Sequence, residues 1–329
     1  MCTPLKIRDG VVIDPPLIQA PMSGITGRAF RQFIRELNPG CVGLYYSEFV
    51  SVEGMTRFNR PTLRLMEKSP EDSQTLYAIQ IFGANPSRMA IGARMAQEHG
   101  ANVVDINCGC PAPRIVKKGG GAELLKKPEQ IGEIIAAVKA AVFIPVAVKI
   151  RLGWSQDTIN CFEVADIVQQ AGADLLTVHG RTKEQGFQGL ADWELIGRVR
   201  ERLTIPVVGN GDIKTPEDYD DRVGSSGVPA VMIGRGMLSD PWIFRKIIAH
   251  RAGKPEASIL DFKYAMFPRY AELLRNEGLH AQAILGKGKQ MAVRFLRGKA
   301  GCSHLRTQAL RSNTFQEFME NVRLYIDHD

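Results

Sequence analysis

Asn160-Cys161-Phe162-Glu163-Val164-Ala165-Asp166-Ile167-Val168-Gln169-Gln170-Ala171-Gly172-Ala173-Asp174-Leu175-Leu176-Thr177-Val178-His179-Gly180 carries the fold in a single stretch. Apolar residues recur three and four apart over 160–171, the period of a helix with one buried face. Gly172 stands where such a helix ends, because glycine enters the left-handed region at little cost. The short run 175–178 then reads as a strand, and polar residues follow it at once. The same order of helix, glycine and apolar run recurs at His99-Gly100-Ala101. Working outward, strand-like runs fall at 17–20, 43–47, 76–81, 103–106, 146–150, 175–178, 207–209 and 230–233. Helical periodicity falls between them, as at 86–99, 129–141 and 160–171. Eight such units in about 240 residues predict an α/β fold of the (β/α)8 TIM-barrel type, which typically takes ~250 residues. A doubly wound sheet would call for G-x-G-x-x-G after the first strand, and Ala20-Pro21-Met22-Ser23-Gly24 is not that.

Beyond Pro241-Trp242 no strand-like run follows, and residues 262–276 and 289–298 read as helices. The expected organisation is a barrel over 1–245 and a small all-helical domain over 246–329, with 253–258 as a linker. Of the 329 residues, 44% are hydrophobic and 23% charged, which suits an ordinary globular protein. No apolar run reaches 18 residues, and Met1-Cys2-Thr3-Pro4-Leu5-Lys6 lacks a secretory pattern, so a cytoplasmic protein without a membrane partner is expected. The six cysteines show no zinc-binding spacing, so reduced thiols and no metal are expected. Charge is uneven. Residues 1–244 hold 27 Lys/Arg and 27 Asp/Glu, whereas 245–329 hold 15 against 8, so the whole net charge of +7 lies in the last quarter. That asymmetry points to a polyanion.

Active sites of (β/α)8 barrels lie at the C-terminal ends of the strands, so polar residues there are the candidates. The fourth run leads into Asp105-Ile106-Asn107-Cys108-Gly109-Cys110-Pro111 and a glycine-rich segment, Lys117 through Ala122. A thiol on such a loop, with an ordinary pKa near 8.5, is protonated at neutral pH and can act as an acid. Cys108 is expected to be buried, as cysteines often are. Lys149 sits inside an apolar run, which is costly unless it meets an anion. His179 and Arg181 follow the sixth run. Asn210-Gly211-Asp212 and Gly234-Arg235-Gly236 end the seventh and eighth, where barrels often hold a phosphate. A phosphate-bearing cofactor follows, and flavin mononucleotide (FMN) fits, since its reduced ring is anionic and calls for a cation such as Lys149.

Together these residues resemble the dihydrouridine synthases, flavoenzymes that reduce uridine in tRNA, and the bacterial branches in particular. The likeness runs over about 15–245. It rests on Ala20 through Thr26, Ser47-Glu48-Phe49, Gln80, Asp105 through Pro111, Val148 through Gly153, Thr177 through Thr182, Asn210-Gly211-Asp212 and Met232 through Gly236. The resemblance implies that Pro21, Met22, Ser23 and Gln80 line the flavin ring, with Lys149 and His179 on its N1–O2 side. It implies that Asn210, Gly211, Asp212, Gly234 and Arg235 hold the phosphate, that Cys110 is the acid and that Asn107 binds the flipped uracil. NADPH is the implied reductant, visiting rather than held by a motif of its own. The resemblance also gives the basic tail a role. Lys287, Arg294 and Arg297, with Arg181 and Lys183 at the barrel rim, are expected to meet RNA phosphates. A monomer is expected. Alternatives are ribosomal RNA as substrate, an FMN barrel acting on a free pyrimidine in the manner of dihydroorotate dehydrogenase, and a non-catalytic RNA-binding barrel.

Overall fold

The computed structural model describes residues 3–8, 10–69, 75–255, 260–296 and 303–327. Eight parallel strands close on themselves: β1 (Leu17–Gln19), β2 (Leu44–Tyr46), β3 (Leu76–Phe82), β4 (Val103–Cys108), β5 (Val146–Arg151), β6 (Leu175–His179), β7 (Val207–Asn210) and β8 (Ala230–Ile233). β8 pairs with β1, placing Val231 opposite Leu17, and β1 with β2, so the sheet has no open edge there. Successive residues of a strand point to opposite faces. One set, Ile18, Leu44, Ala78, Val103, Ala147, Leu175, Val208 and Ala230, fills the barrel. Its neighbours in sequence, including Leu17, Tyr45, Ile79, Val104, Leu176 and Val231, face outward into the core shared with the helices. Each fully buried Val, Leu or Ile side chain in these layers contributes about 1.5–3 kcal/mol. A short hairpin, Leu5–Arg8 against Val11–Ile13, adds Leu5 and Ile13 to the inner cluster. Nothing in the periodicity announced it, because seven strand residues are too few to show a pattern.

The helix Ile243–Arg251 packs on Pro216–Ser226, with Arg251 ion-paired to Asp220 at 3.1 Å, and so belongs to the barrel's outer ring. It runs through the 245/246 boundary expected from the change in periodicity. The C-terminal helices are Leu260–Asn276, Ala281–Phe295, Ser303–Arg311 and Phe315–Asp327. The second begins well before the expected 289, with Gly286 and Gly288 inside it. Gly288 allows close packing, since a Cβ there would lie 3.3 Å from the Phe318 ring. These helices dock on the barrel through aromatic contacts. Tyr270 lies 6.0 and 5.2 Å from Phe30 and Phe33, and Phe295 lies 6.3 Å from Trp242. Part of the expected linker, 256–258, lies outside the described residues.

Phe267 is buried between Phe295 and Phe318 at 5.8 and 5.4 Å. Phe267→Ala is expected to cost about 3–5 kcal/mol in denaturant unfolding. An unchanged midpoint would mean that these helices do not share the packed core.

Candidate active site

The alternation that buries Ala78, Val103, Ala147, Leu175 and Val208 in the barrel also fixes what lies above them. Two residues further along each strand come Gln80, Asp105, Lys149, Thr177 and Asn210, and two further again Asn107, Arg151 and His179. A cavity of about 590 Å³ opens at this end, within the usual range of small-molecule sites. Pro21, Met22, Ser23, Gln80, Asn107, Cys110, Lys149, His179, Asn210, Gly211, Asp212, Gly234 and Arg235 all line it.

Its floor is a chain of hydrogen bonds. Gln80 Nε2 donates to Asp105 Oδ2 at 2.6 Å, and Asn107 Nδ2 donates to Gln80 Oε1 at 2.7 Å. Asn107 Oδ1 accepts from the backbone N–H groups of Gly109 (3.2 Å) and Cys110 (2.9 Å), which ties the Cys110 loop to β4. Both amide orientations follow, and each keeps one N–H to offer a ligand. Burial pushes the Asp105 carboxyl up to about 7, against the opposing hydrogen bond from Gln80 and the charge of Lys149. Burial, then the Arg151 charge, brings Lys149 down to about 7, while Asp105 and Cys110 oppose the fall. Lys149 Nζ donates to Asn210 Oδ1 at 3.0 Å. Burial and the surrounding cations hold His179 well below the usual imidazole range, so it is neutral at pH 7. Cys110 is raised by burial despite the Ala112 N–H and the charges of Arg151, Arg114 and Lys149, so its thiol keeps its proton at neutral pH. Cys108 is fully buried, as expected, and pushed far higher.

Glycines shape both ends of the cavity. A Cβ on Gly121 (φ +61) would lie 2.7 Å from the Cys110 carbonyl, so only glycine lets this segment pass so close to Cys110. Across the mouth, Gly234 has room around it: a Cβ would meet only Ala20 and Met22, at 3.5 and 3.8 Å. Its missing side chain leaves space in the cavity rather than relieving a clash. Arg235 stands beside it with its guanidinium 4.3 Å from the centre of the Phe187 ring.

A family model described as "Dihydrouridine synthase (Dus)" matches residues 18–327. The chain belongs to the dihydrouridine synthase family. It is 35% identical over 316 residues to a probable tRNA-dihydrouridine synthase 1 of Synechocystis sp., covering 95% of this chain and 87% of that one. It is 37% identical over 289 residues to the tRNA-dihydrouridine synthase B of Pseudomonas aeruginosa, covering 87% and 82%. Among solved structures, a histamine dehydrogenase of Rhizobium sp. 4-9 superposes with a TM-score of 0.58 at 17% identity, over 76% of this chain. A 2-naphthoyl-CoA reductase does so with 0.57 at 14%, over 77%. The chain spans about half the length of those two proteins, at 48% and 52%, and they bear on the fold alone.

As a dihydrouridine synthase the chain shows departures from the expected RNA contacts. Arg181 is 1% exposed and is no rim residue. It pairs with Asp212 at 2.6 Å and donates to the carbonyls of Gln188 and Gly189, pinning the loop after β6. Asp212 is committed likewise. Burial would raise its carboxyl, but Arg181 and the Ala191 N–H outweigh that and hold it below the usual range. Lys183 lies at the rim, its ammonium 4.0 Å from the Trp154 ring centre, with that of Lys126 at 3.3 Å. Lys287 donates to the Gly24 carbonyl, and Arg294 lines the cavity itself. Arg297 lies outside the described residues. The sequence reading missed Arg151, which donates to the carbonyls of Gly109 (2.8 Å), Thr182 (2.8 Å) and Gly186 (3.0 Å) and so joins two mouth loops. Its signal was available: it shares the inward parity of Lys149. Phe187, 55% exposed on the cavity wall, gave none.

Lys149 gives a test by pH. Unfolded, this lysine keeps its proton up to about 10.5; folded, it releases it near 7. Between those values the unfolded state binds the extra proton, so raising the pH favours the fold. In protein stripped of cofactor, the melting temperature of the wild type should climb relative to Lys149→Met between about pH 7.5 and 9.5. Parallel curves would contradict a buried ammonium.

Proposed function

We propose that this chain reduces the C5=C6 bond of specific uridines in structured RNA, with tRNA as the substrate, FMN in the barrel mouth and NADPH as the reductant. One observation carries the reading: a single cavity is lined by the Cys110 thiol, the buried Lys149 and two glycine-bearing strand ends beside Arg235. The names of the Synechocystis and Pseudomonas relatives support tRNA as the substrate. The lining fits a flavin. Lys149 and the spare N–H of Gln80 suit the electron-rich edge of the ring, and Gly211, Gly234 and Arg235 suit the phosphate.

Bound and reduced, the flavin supplies a hydride equivalent to C6 of the uracil. The remaining steps fall to side chains of the protein. Asn107 has one N–H left after bonding Gln80 and can donate it to a uracil carbonyl. Cys110 holds a proton for C5, which completes a two-electron reduction. The thiolate left behind lies near Lys149, Arg151 and Arg114, whose charges favour it, and solvent can return the proton at this half-buried position. Neutral His179 is suited to hydrogen bonding rather than to charge. The target base must leave its stack to enter the mouth, at a cost of a few kcal/mol by analogy with base-flipping enzymes. Lys183 at the rim and the basic C-terminal helices are suited to the RNA backbone, a contact that positions without reading sequence.

Cys110→Ala should retain its flavin and the reduction of that flavin by NADPH. Its yield of dihydrouridine on unmodified tRNA, read by nucleoside mass spectrometry, should fall by about 10²–10⁴ in rate. A wild-type yield would remove Cys110 as the acid.

A further inference from the structure

Arg294 lies in the helix Ala281–Phe295, outside the barrel, yet it lines the barrel cavity together with Gly234 and Arg235. Its helix is held there on both sides. About two turns before it, Gly288 packs on Phe318 and Lys287 donates to the Gly24 carbonyl at the β1 loop. Immediately after it, Phe295 packs against Trp242, which follows β8, and against Phe267. Arg294 is therefore delivered to one place, the β1–β8 side of the mouth.

We propose that Arg294 is a binding residue for the cofactor phosphate, closing the glycine-lined pocket of β7 and β8 from the second domain. This rests on the flavin mononucleotide reading above. Arg294 and Arg235 are near enough for their charges to act on one another unfavourably. Two guanidiniums converging on one end of a cavity repel each other, and a phosphate dianion between them turns that cost into attraction. Asp212 offsets part of the Arg235 charge from 3.5 Å while pairing more closely with Arg181 at 2.6 Å, so a phosphate would join a carboxylate already shared between two arginines. Guanidinium is also the group whose planar fork matches phosphate oxygens. The C-terminal helices then form part of the flavin site, and cofactor retention depends on how they dock.

The test titrates full-length protein, stripped of cofactor, with FMN and with riboflavin, which has the ring but no phosphate. Wild-type protein should prefer FMN by at least about a hundredfold. Arg294→Ala and Arg294→Gln should each weaken FMN by about tenfold or more, leave riboflavin affinity unchanged, and melt as the wild type does without ligand. If FMN affinity is unchanged in both variants while tRNA affinity falls, Arg294 is an RNA contact and the proposal is overturned. Equal loss of FMN and riboflavin would overturn it as well, by showing damage to the site as a whole. If the wild type itself does not prefer FMN to riboflavin, the flavin mononucleotide reading fails first.

Discussion

The ammonium of Lys149 lies inside a closed barrel, and the rest of the site is arranged around the cost of keeping it there. Moving a charge from water into such surroundings is unfavourable unless partners replace its hydration. Here the partners are Asn210 Oδ1 at 3.0 Å and the nearby carboxyl of Asp105, itself held at 2.6 Å by Gln80. The compensation is incomplete, which is why burial drags Lys149 and Asp105 toward the same value near 7 from opposite sides. A site poised in this way can take an anionic ligand as its missing counter-charge. The same desolvation keeps Cys110 protonated, while Lys149 and Arg151 limit how far its pKa rises. The protonation of thiol and amine is thus set by one environment.

Stability and chemistry use the same alternation along the strands. The lower inward positions carry Ala78, Val103, Ala147 and Leu175 and close the barrel. The upper ones carry Gln80, Asp105, Lys149 and His179 and face the cavity or the network beneath it. A slip of one residue in any strand would send its polar group into the helix-facing core, so register and function are specified together. The loops above are less self-sufficient and are tied down by guanidiniums. Arg151 joins the loops after β4 and β6, and Arg181 fastens the β6 loop to Asp212.

Much of this was readable from the chain, for reasons that can be named. Short apolar runs alternating with helical periodicity marked all eight strands, several of them after a helix-ending glycine, and barrel topology then brought Cys110, Lys149, His179 and Arg235 to one end without any knowledge of distance. What failed to show were features set by tertiary contact. Arg181 read as a rim cation because its partner Asp212 lies a strand away in sequence. The helix Ala281–Phe295 begins well before the residues that read as helical, and Gly288 within it packs on the Phe318 ring, some thirty residues further on. Arg294 read as part of a basic surface, since nothing local shows that its helix abuts the strand ends. Charge composition located the basic region correctly but could not say which of its members face solvent.

The most direct measurement is anaerobic: enzyme with its flavin photoreduced is mixed with unmodified tRNA, with fully modified tRNA or with orotate, and flavin absorbance is followed. Rapid reoxidation by unmodified tRNA, with one dihydrouridine formed per flavin, is the expected result. Reoxidation by orotate, with none by unmodified tRNA, would contradict it.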